Sequence, residues 1–434
     1  MGRLYVRKKL IIMKKLGFIS LSLILVCLFS VFGFSMWENG DGLYSHTAYM
    51  EHIESGRTVI DTNGSERVYP ASLTKILTCI AAIESCDNLQ EEYEIPSGIF
   101  SDIYEEGGAH IFLKAGEKVT VGDLLHATLI RSACDSATAL AYYTSGSVEA
   151  FADKMNEKAK ALGAVNTHFV NAHGLHDDNH YTTAKDLAII TKYALQNEVF
   201  YDIISKWSYT IPETNLSDKR YFESTMEIKL PDSKHYYPGV VGVKSGFTDD
   251  AGRCLVTTSS RDGESYILVT LGANLDRWYE SNMAYEDAKN LHEYCHAAYS
   301  QKTLVSMNTP VGKIEVAGGV KDSVDLIALS DISYLCATNE KPVITLDIPD
   351  DITAPVSKSE SVGTIKVKVG EREFSEPLYP AADIKLSKKT AIISDNPLLT
   401  VLNVISVVIF AVAAVILAGF CIIFFKKKPH KTKK

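Results

Sequence analysis

Positive charge is scarce in this sequence. Its 44 Lys and Arg are outnumbered by 53 Asp and Glu, for a net charge of −9. No basic patch interleaved with aromatics is present, which argues against a nucleic-acid binder. Paired cysteines are also missing. Of eight cysteines, Cys27 and Cys421 lie in apolar termini, and the other six (Cys79, Cys86, Cys134, Cys254, Cys295 and Cys336) form no Cys-x-x-Cys. Cys79 and Cys86 would stand roughly 10 Å apart along a helix, too far to bridge. The spacing therefore suggests neither a disulfide framework nor a paired-cysteine zinc site. Internal repeats and low-complexity tracts are absent as well.

Long hydrophobic runs are confined to the two ends. Arg3, Arg7, Lys8, Lys9, Lys14 and Lys15 precede the apolar stretch Leu16 to Phe34, and Gly33-Phe34-Ser35 supplies small residues at a cleavage-site spacing. Residues 1–35 are thus expected to be a signal peptide or an N-terminal anchor. Leu398 to Phe425 is almost wholly apolar, longer than the roughly 20 residues that a bilayer takes. Lys426-Lys427-Lys428, Lys431, Lys433 and Lys434 follow. Since positive charge stays inside, this pattern predicts a single C-terminal transmembrane helix (398–425), a basic cytoplasmic tail (426–434) and an extracytoplasmic body on the cell membrane.

Between the ends the pattern changes once. Residues 45–300 mix helical and strand-like segments, as an α+β domain does. The expected elements are a hairpin (Ala48–Ile53, Arg57–Asp61), helices at Ser72–Ser85, Val121–Tyr143, Val148–Leu162, Ala184–Gln196 and Tyr285–Tyr299, and strands at Val240–Lys244, Arg253–Ser259 and Ser265–Gly272. Gly246 to Asp250 is read as a turn. Residues 303–385 consist of short strand-like runs and predict a second, all-β domain.

Three short elements carry chemistry. Ser72-Leu73-Thr74-Lys75 opens an amphipathic segment, and it is the one Ser-x-x-Lys in the sequence. Residues three apart on a helix share a face, so Ser72 gains a candidate base in Lys75, near a helix N-terminus that favours developing negative charge. Ser132-Ala133-Cys134-Asp135 follows an apolar helix, where a loop can turn Ser132 inward. Lys244-Ser245-Gly246 closes a strand-like run and sets an ammonium, a hydroxyl and open backbone beside a cleft, with a glycine that permits close approach.

In this order the three resemble the motif set of the penicillin-recognising serine enzymes: Ser-x-x-Lys, Ser-x-Asn and Lys-Thr/Ser-Gly. The match is closest to the low-molecular-mass penicillin-binding proteins, the D-alanyl-D-alanine carboxypeptidases. Tyr69-Pro70-Ala71, Leu113 to Val121, Phe151 to Gly163, Thr167-His168-Phe169, His173-Gly174-Leu175 and Gly242 to Thr248 add to it, as do Ala354-Pro355-Val356 and Ser361-Val362-Gly363. Over residues 45 to 385 the resemblance implies a penicillin-binding/β-lactamase-like transpeptidase domain, helices around an antiparallel sheet, followed by the β domain. It implies that Ser72 attacks the bond between two D-alanines of a peptidoglycan stem peptide and becomes acylated, and that β-lactam antibiotics acylate the same serine. Lys75 would take the proton, Ser132 would relay one to the leaving amine, and Lys244 and Ser245 would hold the terminal carboxylate. Lys75 can do so only as a neutral amine, with Lys244 as the neighbouring cation that favours this state. The backbone N–H groups of Ser72 and Phe247 would form the oxyanion hole. Gly246 and Cys134 complete the expected site, with no cofactor and no metal.

The sequence departs from the pattern at Cys134, where the family has Asn. A carboxamide donates and accepts well and a thiol does neither, so a shift toward transpeptidation, or an acyl-enzyme that turns over slowly like a sensor, is the alternative reading. Ser224-Thr225-Met226 departs from an Asn-Thr-Asn-like stretch. The segment His168–His180 holds no Glu to activate water, unlike a serine β-lactamase. His292-Glu293-Tyr294-Cys295-His296 satisfies the zincin pattern, a remote rival without the usual continuation. His173, His176 and His180, with Asp177 and Asp178, are read as a polar loop rather than a metal site.

Overall fold

The computed structural model describes residues 42–100, 103–104, 106–273, 283–370, 372–388 and 397–426. The expected N-terminal signal or anchor and the tail beyond 426 lie outside them. The chain divides into two units, residues 1–300 and 301–434.

In the first unit the expected hairpin is present as β1 (Thr47–His52) and β2 (Arg57–Thr62). Ala71–Thr74 forms a 3₁₀ turn that contains Ser72, and helix α1 (Lys75–Ile83) begins only after it. The single helix expected from Ser72 is therefore two pieces. A small hairpin, β3 (Glu92–Glu94) with β4 (Lys118–Thr120), leads into α2 (Val121–His126), which starts on a capping box between Thr120 and Asp123. The helix expected over Val121–Tyr143 is also interrupted. A π-helical segment, Ala127–Arg131, ends at Ser132 in the left-handed conformation (φ +66°), and α3 (Cys134–Ser145) resumes beyond it. Helices α4 (Val148–Leu162), α5 (Ala184–Ala194) and α6 (Glu198–Ser205) are each opened by a side-chain oxygen, of Ser147, Thr183 and Asn197 in turn.

A second hairpin, β5 (Ser208–Ile211) with β6 (Arg220–Glu223), precedes β7 (Lys244–Thr248), β8 (Gly252–Arg261) and β9 (Glu264–Ala273), and α7 (Met283–Ala298) closes the unit. Here the sequence reading needs correction. Lys244 opens a strand rather than ending one, and Gly246, Phe247 and Thr248 belong to that strand rather than to a turn. Val240 makes a lone bridge to Ser259. The sheet is antiparallel in the order β2-β1-β9-β8-β7, so β7 is an edge.

Alternation along β8 and β9 gives this sheet two buried faces. Val256, Ile267, Val269 and Leu271 join the core that contains Leu73, Ile76, Leu77 and Ile80 of the serine segment. Thr257 and Ser259 point the other way, to His292 of α7. The serine turn and the edge strand are thus anchored to one apolar core.

The second unit holds a six-stranded and a two-stranded sheet. Its strands are β10 (Tyr299–Val305), β11 (Gly312–Ala317), β12 (Ser323–Ile327), β13 (Ile332–Ala337), β14 (Val343–Asp347), β15 (Asp351–Thr353), β16 (Gly363–Val369) and β17 (Arg372–Pro380). Ile314, Leu326, Ile365, Val367 and Leu378 are among its buried residues. A helix α8 (Pro397–Lys426) contains the expected span 398–425. Its side chains are described only within 401–416, and among the described residues no helix is long and apolar enough to cross a membrane.

Candidate active site

The site is built where the serine turn meets the edge strand. Ala71, just before Ser72, holds a left-handed φ of +48°. Two glycines make room for that turn. A Cβ on Gly246 would lie 2.9 Å from the Ser72 nitrogen and 3.1 Å from the Ala71 Cβ. A Cβ on Gly174, itself at φ +83°, would meet the Ala71 carbonyl oxygen at 1.9 Å. The sequence reading assigned the glycine of Lys-Ser-Gly to substrate approach; in the structure the backbone it admits is the chain's own.

Lys75 is fully buried, and three groups surround its Nζ: Ser72 Oγ at 2.8 Å, the His173 carbonyl oxygen at 2.6 Å and Cys134 Sγ at 3.4 Å. A neutral amine has two N–H donors and one lone pair. It can donate to the carbonyl and, weakly, to the sulfur, leaving its lone pair for the Ser72 hydroxyl proton. The His173 carbonyl is held in place by its own loop: Asn171 Oδ1 accepts from the backbone N–H of His173 and Gly174, and His173 Nδ1 accepts from that of Leu175.

Lys244 is also fully buried, and its Nζ donates to the Ser245 carbonyl at 2.8 Å. Burial first, and the Lys75 charge second, push its pKa down to about 7. Two ammonium groups cannot comfortably share this dry region, and the penalty falls on Lys244. His173 is held down to about 3 by burial and by Lys75, and so stays neutral. His180 is held down to about 3 chiefly by burial. The Thr74 hydroxyl donates to the Ala71 carbonyl and Val170 N–H donates to His180 Nδ1; His180 Nε2–H therefore donates to Thr74 Oγ1 at 2.7 Å and braces the serine turn from behind.

A cavity of about 700 Å³ opens in front of these groups, lined by Ser72, Ser132, Cys134, Ser245, Gly246 and Phe247, together with Thr225 and Arg253. The two lysines, Lys75 and Lys244, are not on its surface. They stand behind its wall, which the sequence could not reveal. Thr225 was singled out in the sequence only as a departure. Its Oγ1 lies 3.0 Å from Ser245 Oγ, and its backbone is gripped by the Ile130 carbonyl and the Tyr285 hydroxyl. Arg253, over the Phe247 ring at 5.6 Å, was missed. It pairs with Phe247 across β7 and β8, a register that was invisible while Phe247 was read as a turn residue.

Ser132 and Cys134 are aimed by the interrupted helix. The Cys134 N–H donates to the Ala109 carbonyl at 2.6 Å, and buried Asp135 accepts from the N–H groups of Ile111, Leu113 and Ser136. A π segment followed by a left-handed serine is a costly local conformation of the kind found at functional sites.

The rival constellations do not assemble. Both ring nitrogens of His292 are taken by hydroxyls of β8, Thr257 at 2.8 Å and Ser259 at 2.7 Å. His296 reaches the same Ser259, and Glu293 pairs with Arg261. His173 and His180 are committed to Leu175 and Thr74, and His176 faces Asp178 and Asp250.

A family model described as D-alanyl-D-alanine carboxypeptidase matches residues 38–275. The chain belongs to the D-alanyl-D-alanine carboxypeptidase family, peptidase family S11, whose members are serine-type peptidases. A second family model, the C-terminal domain of penicillin-binding protein 5, matches residues 299–386. The D-alanyl-D-alanine carboxypeptidase DacF of Bacillus subtilis is 31% identical over 345 residues, which are 78% of this chain and 85% of that protein. Among solved structures, the DacD carboxypeptidase of Francisella tularensis superposes with a TM-score of 0.60 at 24% identity, over 81% of this chain and 96% of that one, a likeness of fold. The Streptomyces K15 DD-transpeptidase gives 0.53 at 26% identity, over 59% of this chain and 98% of that one. Solved variants of the K15 protein replace a serine and, two positions on, a cysteine.

Proposed function

We propose that this carboxypeptidase removes the terminal D-alanine of peptidoglycan stem peptides through an acyl-enzyme on Ser72. The observation that carries the reading is the buried Lys75 Nζ at 2.8 Å from Ser72 Oγ, at the back of an open cleft. Ser72 Oγ attacks the carbonyl carbon of the D-Ala–D-Ala bond while its proton passes to the Lys75 lone pair. The oxyanion meets the backbone N–H groups of Ser72 and Phe247, a contribution of roughly 3 kcal/mol per donor. As the C–N bond breaks, the leaving amine takes a proton by way of Ser132. Water then attacks the acyl carbon, and Ser72 regains its proton as the product carboxylate leaves.

The terminal carboxylate needs a cation that it can touch. Lys244 is buried and bonded to its own backbone, so its role is to set the field around Lys75. Arg253 is the only lining residue of the described cavity with a permanent positive charge, and it is assigned the carboxylate, with the Ser245 and Thr225 hydroxyls beside it. β-Lactams acylate Ser72 in the same geometry.

A second reading rests on Cys134. Its thiol faces Lys75 where a carboxamide would otherwise help to position water and substrate, and its spacing from Ser132 is that of the serine and cysteine exchanged in the K15 transpeptidase variants. That favours transfer of the acyl group to an amine acceptor in competition with water. The apolar segment 398–425 with its basic flank supports anchoring to the cell membrane, with the active site outside the cytoplasm.

The test is labelling with a fluorescent penicillin and D-alanine release, each with and without Ser72→Ala and a metal chelator. Labelling and release that both vanish in the variant and ignore the chelator support the hydrolase. Labelling without release supports the slow-turnover sensor. Release that survives Ser72→Ala refutes the assignment.

A further inference from the structure

A second group of functional side chains sits at the far end of the sheet, outside the catalytic cavity. His52 ends β1, Glu54 lies at the tip of the β1–β2 hairpin, and Glu264 opens β9 at the tip of the β8–β9 hairpin. Because β1 pairs with β9, with His52 opposite Tyr266, the two hairpin tips are neighbours. His52 Nε2 lies 2.6 Å from Glu264 Oε2 and 3.0 Å from Glu54 Oε2, and the three atoms fall within 4.8 Å of one another.

The His52 ring is only 2% exposed, so its nitrogens have no recourse to water. Despite the short contacts, no acceptor meets Nε2 with hydrogen-bond geometry. A buried ring nitrogen this close to two carboxylates, yet without a hydrogen bond to either, calls for an explanation. Nδ1 faces Ser55, with the hydroxyl at 2.8 Å and the backbone nitrogen at 3.2 Å. The Ser55 N–H can only donate, so Nδ1 accepts from it and the ring proton sits on Nε2, toward the carboxylates. A metal ion would take the place of that proton, with Nδ1–H then donating to Ser55 Oγ, the outer hydrogen bond that fixes a ligating histidine. The Tyr266 ring braces the imidazole edge-on at 5.1 Å.

We propose that His52 Nε2, Glu54 Oε2 and Glu264 Oε2 bind one divalent transition-metal ion of the zinc type, which clips the two hairpin tips together. One imidazole and two carboxylates suit a borderline ion better than calcium or magnesium, which prefer all-oxygen sites. Bonds of about 2.0–2.2 Å to a shared centre require both carboxylates to swing back from Nε2, Glu264 more than Glu54. The site has no part in peptide cleavage. Lys244 pairs with Val256, five residues along β8 from Arg261 at the hairpin, which is roughly 16 Å by strand rise. The rival is a triad held by a proton on Nε2, with Nδ1 accepting from the Ser55 N–H.

The full-length protein, stripped with chelator, is titrated with Zn²⁺ by calorimetry and melted with and without the ion. Glu54→Gln and Glu264→Gln are compared with it. Expected are one zinc per chain, a raised melting temperature, a loss of affinity of about 100-fold or more in each variant, and unchanged D-alanine release and apo melting temperature. Glu54→Gln changes a half-exposed residue, so misfolding does not confound it. Uptake that persists in both variants overturns the proposal by placing the ion elsewhere. Absence of uptake by the parent protein overturns it in favour of the proton-held triad.

Discussion

Lys244→Met separates what the buried lysine does for the reaction from what it costs the fold. Lysine in the unfolded chain holds its proton up to 10.5, whereas burial and the Lys75 charge bring Lys244 down to about 7. Between these values the unfolded chain binds more protons, so this group makes stability rise with pH; below about 7 its penalty is full and constant. At 1.36 kcal/mol for each pH unit, the fall from 10.5 to about 7 amounts to about 5 kcal/mol of destabilisation at pH 6. Methionine removes the charge at similar volume but leaves the Ser245 carbonyl without its donor, which costs ~1–3 kcal/mol. The variant should therefore be more stable than the parent by about 2–4 kcal/mol at pH 6. That gain should fade above pH 7 and be gone by pH 10.5. Urea denaturation of both proteins across this range measures it, while penicillin labelling of the variant should slow. Stability curves that stay parallel from pH 6 to 10 would refute the reasoning, since they would mean that Lys244 holds the same charge in both states.

Gly246→Ala puts a methyl 2.9 Å from the Ser72 nitrogen and should slow acylation by about 100-fold or more while far-ultraviolet circular dichroism stays unchanged; a labelling rate within a few-fold of the parent would show that the serine turn yields freely. Cys134→Asn should raise D-alanine release relative to acyl transfer, read as the product ratio with a glycine acceptor, and an unchanged ratio removes Cys134 from the partition. Arg253→Gln should raise KM for the peptide far more than it lowers kcat, because the carboxylate is bound in ground and transition states alike. Asp135→Asn turns a donor toward the N–H groups of Ile111, Leu113 and Ser136 and should cost about 2–4 kcal/mol in urea denaturation.

The sequence disclosed the elements whose period is regular. Val148–Leu162 stands where the pattern put it, because apolar spacing along one face is set by local geometry. It failed at places where the backbone departs from regularity. Apolar residues recur at helical spacing from Val121 through Ala141, so nothing in their order marks the π segment or the left-handed Ser132, which are fixed by tertiary contacts to Ala109 and Thr225. Gly246-Phe247-Thr248-Asp249-Asp250 has turn composition, yet its first three residues pair with β8. The three motifs were legible by residue type; their division of labour was not. Burial decides that Lys75 and Lys244 stand behind the wall, and burial depends on the whole core.

The same fact bears on why a lysine can be the base here at all. An exposed amine three residues from a serine would stay protonated at neutral pH and offer no lone pair. Sealing two lysines in one dry region makes the doubly charged state the expensive one, and burial with the Lys75 charge brings Lys244 down to about 7. The sealing depends on Gly246 and Gly174, which let the edge strand and the His173 loop close on either side of the serine turn. Catalytic competence and close packing are thus one property in this domain. A substitution that props the turn open should admit water to the lysines, relieve the burial that lowers Lys244, and stop acylation even with every motif residue in place.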